Sequence, residues 1–304
     1  MLSILKSRDL VKQSKLDRDL DEIKINQGRI LAELNARKPA PSLNDCEFKV
    51  FSQWGEDGII QFLTANVAIK HRTFIEFGVE DFRESNCRFL MMKDDWSGLV
   101  LDGSPKKINR LRSSYYYWRH ALQSQVAFIT RENIKALLDE SGFAKELGIL
   151  SVDIDGVDYY VLAELGDWKA SILIVEYNAL FGCRRAVSVP YSADFQRTRQ
   201  HHSNLYYGAS LPALAHIANQ QGYAFVGANN AGCNAFFVRR ELLNGAVREV
   251  SVIDGFRESR FRQARNERGE LTYASPDEER KLIANMPLAD VVSGETLTVA
   301  DLND

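Results

Sequence analysis

The chain has 304 residues, 45% of them apolar and 26% charged, with a formal net charge of -3. That length supports one or two domains with sizeable cores, while the small charge, with no Lys/Arg run interleaved with aromatics, gives no support for nucleic-acid binding. Cys46, Cys87, Cys183 and Cys233 form no CxxC pair, no apolar run is long enough to span a membrane, and no signal-peptide pattern opens the chain, so a cytoplasmic protein in a reducing compartment is expected.

Residues 1–38 read as a helical arm. Leu16, Leu20, Ile23, Gln27, Ile30 and Leu34 alternate spacings of four and three, a heptad seam interrupted once by Gln27, with charged residues between. Such a helix either pairs with another chain, giving a homo-oligomer through a short coiled coil, or packs on its own domain. Gly28 inside it costs about 1 kcal/mol of helix propensity relative to Ala. Pro39 and Pro41 are expected to end the helix and mark the boundary with a body at 45–245. A C-terminal extension at 246–304 follows. It is charged and reads best as a solvated helix face; the alternatives are that it wraps the body or contacts an anionic acceptor through its arginines.

Within the body a helix is expected from Asp57 to about Ala68. Strands are expected at 73–77, 98–102, 125–130, 148–153 and 171–177, alternating with helices at 84–93, 105–113, 131–141, 157–165 and 209–221. This alternation predicts an α/β fold with a doubly wound parallel sheet. Two late strands, 223–228 and 234–239, joined through Asn229-Asn230-Ala231-Gly232, suit an antiparallel hairpin. Ligands on such a sheet bind beyond the carboxyl ends of its strands.

The first strand runs through Glu76 into Gly78, and 26 residues after Glu76 a second ends in Asp102-Gly103. A glycine turn admits close backbone approach to a nucleoside, and an acid on the next strand accepts ribose hydroxyls. Only Gly78 stands where a dinucleotide fold needs three glycines, and Glu80 and Asp81 would repel a pyrophosphate. An acidic turn suits a cationic ligand, with S-adenosylmethionine the leading candidate. Gln53, in the turn before the first helix, is a candidate for folding over the amino-acid end of that ligand. Ser85 and Asn86, at a helix start, would receive its carboxylate on free N–H groups. Phe128 to Thr130 would wall the adenine.

Asp153, Asp155 and Asp158 crowd the turn after a buried strand. No Lys or Arg lies between 148 and 168 to neutralise them. A divalent cation such as Mg²⁺ or Mn²⁺ suits such oxygen donors. The alternative is that Asp153 and Asp155 cap the following helix. The next strand ends in Glu176-Tyr177-Asn178, and period-two alternation puts Glu176 and Asn178 on one side, completing a metal set of Asp153, Glu176 and Asn178; the alternative is that Asn178 begins a turn into Ala179-Leu180-Phe181-Gly182. Asp155, His201 or His202 would take a proton from an acceptor hydroxyl.

At these residues the chain resembles the FkbM-type family of S-adenosylmethionine-dependent methyltransferases and their relatives in bacterial glycan gene clusters. The matching segments are Ser52-Gln53-x-Gly55-Glu56-Asp57, Phe74-x-Glu76-x-Gly78, Asp102, Asp153-x-Asp155-Gly156-x-Asp158 and the hairpin from Gly222-Tyr223 to Asn234-Ala-Phe-Phe-Val. The resemblance covers about residues 50–240. It implies a class I methyltransferase Rossmann-like fold and O-methylation, often of a sugar, nucleotide-sugar or glycan in polysaccharide biosynthesis. Glu76, Gly78 and Asp102 would then hold the cofactor. The family often carries D-x-E-G where this chain has Asp153-Ile-Asp155-Gly156. Asp with Glu-x-Asn is closer to metal-assisted catechol-type O-methyltransferases, whose lysine base would fall on Gly156. Competing readings are a metal-dependent glycosyltransferase using Asp153-x-Asp155, which leaves Glu76 and Asp102 unexplained, and a non-catalytic assembly scaffold.

Overall fold

The computed structural model of the chain describes residues 2–38 and 42–302, with side chains described from residue 15 onward. Pro39 and Pro41, expected to end the arm, lie outside the described residues.

Seven strands make the main sheet: β1 (Thr73–Phe77), β2 (Ser97–Asp102), β3 (Leu122–Val126), β4 (Glu146–Val152), β5 (Lys169–Glu176), β7 (Tyr223–Ala228) and β8 (Asn234–Arg239). Their order across the sheet is β3-β2-β1-β4-β5-β8-β7. The first five are parallel, β8 runs antiparallel to β5, and β7 antiparallel to β8. A doubly wound sheet closed by an antiparallel hairpin is the class I methyltransferase arrangement, as expected.

The central strands are mainly apolar because both faces are covered. Alternation then sorts each strand between two cores. Ile75, Phe77, Leu101, Val152 and Val175 meet helices α5 (Ile134–Asp139), α6 (Asp158–Glu164) and α8 (Leu211–Gln220) on one side. Phe74, Val100, Ile149 and Ile174 meet α2 (Glu56–Asn66), α3 (Arg88–Asp94) and α4 (Pro105–Arg112) on the other.

Two elements sit away from their expected positions. Strand β3 ends at Val126, four residues before the expected end, because this edge strand tolerates the polar Gln123-Ser124-Gln125. The apolar run after it leaves the sheet instead. Asn133 folds it into a turn, accepting from Thr130 N at 2.9 Å and donating to Phe128 O at 2.9 Å. Helix α3 begins at Arg88 rather than 84, since residues 85–87 are engaged by Glu76.

The arm is one helix, α1 (Leu2–Ala36), and it packs on the body by the face opposite its heptad seam. Asp21 meets the buried Arg88, Ile25 joins Val50, Phe51 and Phe89, and Gly28 lies against Phe89 and Val50. A Cβ on Gly28 would stand 2.6 Å from both side chains, which explains a glycine inside a helix. The Arg88 guanidinium is sandwiched between the rings of Phe51 (3.9 Å) and Tyr116 (4.1 Å) and bonds Asp21 at 2.5 Å.

The C-terminal extension is not a solvated helix face. It wraps the body, burying Ala264, Ile283, Leu288 and Val299 completely. A second, three-stranded sheet ties it down: β6 (Val187–Ser188) pairs with β9 (Pro287–Asp290), which pairs with β10 (Thr296–Thr298). Apolar residues spaced through a charged background supply this anchoring.

Candidate active site

A cleft runs along the carboxyl ends of the parallel strands. One end is bordered by Gly78, Asp102, Phe128, Ile129, Val157 and Phe195. The other is bordered by Gln53, Glu76, Asp153, Glu176, Arg197 and Asn234. Gly78, Glu80, Asp153 and Asp155 belong to both ends and join them.

Gly78 cannot be replaced without moving the sheet. Its φ is +70°, its N–H donates to Leu101 O at 2.9 Å, and a Cβ would stand 1.7 Å from Asp153 O. The turn after β1 is thereby pressed onto the end of β4. Glu80 (φ 52°), Phe82 (φ 61°) and Asp155 (φ 56°) also hold left-handed conformations around this cleft, the kind of local strain that gathers at functional sites.

Glu76 has a different task from the one its position suggested. It is 4% exposed and accepts from Ser85 Oγ (2.7 Å), Asn86 N (2.8 Å) and Cys87 N (3.1 Å). Burial raises its pKa against those hydrogen bonds. The N–H groups expected to receive a ligand carboxylate at Ser85 and Asn86 are both occupied: Ser85 N donates to Phe51 O at 3.1 Å, and Asn86 N to the carboxylate of Glu76.

Asp102 closes β2, with Oδ2 accepting from Glu80 N at 2.8 Å and Oδ1 from Ser104 N at 2.7 Å. These bonds fix its carboxylate at the cleft wall. Thr130 does not border the cleft; its N–H is held by Asn133, and Phe128 and Ile129 form the wall. Gln53 does border it. Beside it Asp57 secures the start of α2, its Oδ2 accepting from Val50 N, Phe51 N, Ser52 N and Ser52 Oγ within 2.9 Å.

Of the three aspartates after β4, the turn is stabilised by Asp158 rather than by Asp153 or Asp155. Its two oxygens accept from Ile154 N (2.8 Å) and Gly156 N (3.0 Å). Asp153, Asp155 and Glu176 are left free to converge, each offering an oxygen within 4.8 Å of the others. Burial and mutual repulsion push Asp153 and Glu176 well above the usual carboxylate range.

The positive partner absent from 148–168 comes from α7 (Arg197–Gln200). Arg197 lies 3.7 Å from the Tyr207 ring centroid, donates to Asp155 Oδ1 (2.5 Å) and Asn204 O (2.6 Å), and bonds Gln263. Nothing local in the sequence marks this arginine.

Asn178 is not a metal ligand. It is 2% exposed, donates to Leu205 O (2.9 Å) and Tyr207 O (3.0 Å), and accepts from Leu180 N (3.1 Å). Strand β5 ends at Glu176, so the two-residue alternation does not carry through to it. The asparagine at the cleft is Asn234, paired with Glu176 in the β5–β8 register. Its Nδ2 donates to Glu56 Oε1 at 3.0 Å, while its Oδ1 is buried without a donor, as is Glu176 Oε2.

His201 and His202 stand outside the cleft lining. Their rings lie 4.3 Å apart, and His201 Nδ1 is 2.7 Å from Ser203 Oγ, which holds the pair in the loop after α7. Burial and then His202 lower the pKa of His201. The far wall comes from the extension, a contribution that sequence reading missed: Phe261 stacks on Trp54 at 5.3 Å, and Gln263 bonds Arg197.

No family model and no curated protein matches the chain. Solved structures similar to it include an O-methyltransferase family protein from Burkholderia thailandensis, with 11% identity and a TM-score of 0.37, covering 68% of this chain and 59% of that one. An S-adenosylmethionine-dependent methyltransferase from Clostridium acetobutylicum shows 8% identity and a TM-score of 0.39, covering 60% of this chain and 89% of that one. The chain spans 59% of the Burkholderia protein and 52% of the CurJ carbon methyltransferase, a little over half their lengths. Likenesses this distant assign no role to any residue. Among the described residues, no helix is long and apolar enough to cross a membrane.

Proposed function

We propose that this chain is an S-adenosylmethionine-dependent O-methyltransferase acting on a hydroxyl of a sugar or glycan. The observation that carries this reading is the single cleft with two unlike ends, joined at the Gly78 turn. The end with Asp102, Phe128, Ile129 and Val157 offers a carboxylate for ribose hydroxyls between apolar walls for a base. The acidic middle, from Gly78 to Asp153, favours a sulfonium over a phosphate. These residues fit the cofactor, with Gln53 and Asn86 beside its amino-acid end.

A divalent cation also fits the acidic end. Its donors would all be oxygens, and the two orphaned buried acceptors, Glu176 Oε2 and Asn234 Oδ1, lack any protein donor. Asp153, Glu176 and Asn234 would hold the ion. Once bound, a cation supplies stabilisation of the negative charge developing on the acceptor oxygen. Asp155, oriented by Arg197, takes the hydroxyl proton. The Gly78 turn and the Phe261 side chain would confine the two reactants to one cleft, where proximity and orientation supply much of the rate.

Titration calorimetry with S-adenosylhomocysteine and with UDP tests the reading. Heat from the first and none from the second is expected; the reverse would establish the glycosyltransferase alternative. Methyl transfer screened against nucleotide-sugars and glycans, with and without chelator, then identifies the acceptor class. Asp153→Asn is expected to abolish transfer while leaving S-adenosylhomocysteine affinity nearly intact. Equal loss of both would remove Asp153 from the acceptor side.

A further inference from the structure

We infer that two copies of this chain associate through α1 as a parallel, in-register two-stranded coiled coil, an assembly that is independent of the proposed chemistry. Leu16, Leu20, Ile23, Ile30 and Leu34 are each 46% to 63% exposed, although they are the apolar seam of the helix. The helix docks on its own domain through Asp21, Ile25 and Gly28 instead. Those positions lie on the opposite side of the helical wheel, so the seam faces away from the body. It spans 19 residues, about 28 Å at 1.5 Å per residue.

An isolated helix with so short a seam would pair weakly, since it must order itself on association. Here the body has already ordered it. Packing by Ile25 and Gly28 and the Asp21–Arg88 bridge hold the seam in helical form before any partner arrives. The occupant is set by the pattern itself: a heptad stripe with one polar member is complementary to an identical stripe.

Charge selects the orientation. In heptad terms Leu20, Gln27 and Leu34 take a positions, and Leu16, Ile23 and Ile30 take d positions. Asp19 is then at g and Lys24 at the following e, both exposed. In a parallel pair, Asp19 of each copy faces Lys24 of the other, twice by symmetry. An antiparallel pair in the same core register would set Lys24 against Lys24 and Asp19 against Glu33, both repulsive. It would also bury Gln27 against Ile23, whereas the parallel register stacks Gln27 on Gln27, where the amides bond each other.

Light scattering on the full chain after gel filtration tests this. A mass twice that of the chain is expected. Ile23→Glu combined with Ile30→Glu should halve it with helicity retained, because neither side chain packs on the body, and should make the unfolding temperature independent of protein concentration. In a Cys183→Ser background, which removes the one partly exposed thiol, Leu20→Cys should cross-link to a covalent dimer on mild oxidation, unlike the Cys183→Ser chain itself, whose Cys46, Cys87 and Cys233 are buried. A monomeric parent, or a dimer that survives the double glutamate substitution, overturns the interface. Failure of Leu20→Cys to cross-link, with efficient cross-linking between Leu20→Cys and Ile30→Cys chains, overturns the parallel register.

Discussion

Arg197 and Asp155 meet at 2.5 Å although 42 residues separate them. The guanidinium lies on the Tyr207 ring and also holds Gln263 and Asn204 O, so one side chain joins the turn after β4, the α7 loop and the C-terminal extension. Arg197→Ala is expected to reduce kcat about tenfold or more, equivalent to at least about 1.4 kcal/mol in the barrier. Affinity for S-adenosylhomocysteine should change little. Arg197→Lys should recover only part of the activity, because an ammonium cannot reproduce the forked, ring-stacked geometry. Steady-state kinetics and calorimetry on both variants read this.

Asp57 links folding to pH. Burial raises its pKa from 3.8 to about 6 despite the N–H donors on Oδ2, and its Oδ1 has no donor. A carboxyl with a raised folded-state value stabilises fully below its unfolded value, and that contribution is lost as pH rises through about 6. The charge therefore opposes folding at neutral pH by on the order of 3 kcal/mol. Asp57→Asn removes the titration and keeps an acceptor in place. The difference in urea stability between parent and variant should shift in favour of the parent by about 2 kcal/mol from pH 7 to pH 4. His120 and His201, lowered chiefly by burial, act with the opposite sign over part of this range and cancel in the difference.

Gly28→Ala should destabilise the arm despite Ala's better helix propensity. The propensity gain is about 1 kcal/mol. Against it, the new methyl must displace the buried Phe89 ring and Val50, both 2.6 Å away, at a cost of about 1 to 3 kcal/mol. Limited proteolysis should cut α1 faster in the variant.

Asp21→Ala should do more damage than Gly28→Ala. It leaves Arg88, 4% exposed, buried without its counter-charge, at a cost of about 3 kcal/mol. Thermal unfolding of Asp21→Ala, compared with Asp21→Ala/Arg88→Leu, should show partial recovery when both charges go.

Phe261→Ala removes the ring that borders the cleft and stacks on Trp54. Acceptor KM should rise several-fold with the fold intact, as read by circular dichroism and initial rates.

The sheet was largely legible because its central strands are continuous apolar runs, each closed by a carboxylate. The hairpin was legible because turn residues separate two β-rich runs. Strand β3 was obscured by its polar edge sequence and the apolar turn beyond it. The cleft was legible strand by strand and illegible across strands. Asp102, Asp153 and Glu176 follow from strand ends, but preferring Asn234 to Asn178 requires knowing that β8 lies beside β5. Arg197 and Phe261 arrive from loops that no local period announces.

The Trp54–Phe261 stack also orders events during synthesis. The strands bearing Glu76 and Asp102, and the one leading into Asp153, are all synthesised by residue 153, well before the extension. The segment carrying Phe261 and Gln263 follows long afterwards, so a translating chain holds an acidic cleft with one side missing. Charge repulsion among Asp153, Asp155 and Glu176 goes partly unrelieved until that segment comes to rest on Trp54 and steadies Arg197. Completion of the cleft is thus expected to come late, and ligand-binding competence in a nascent chain should lag behind the appearance of the sheet.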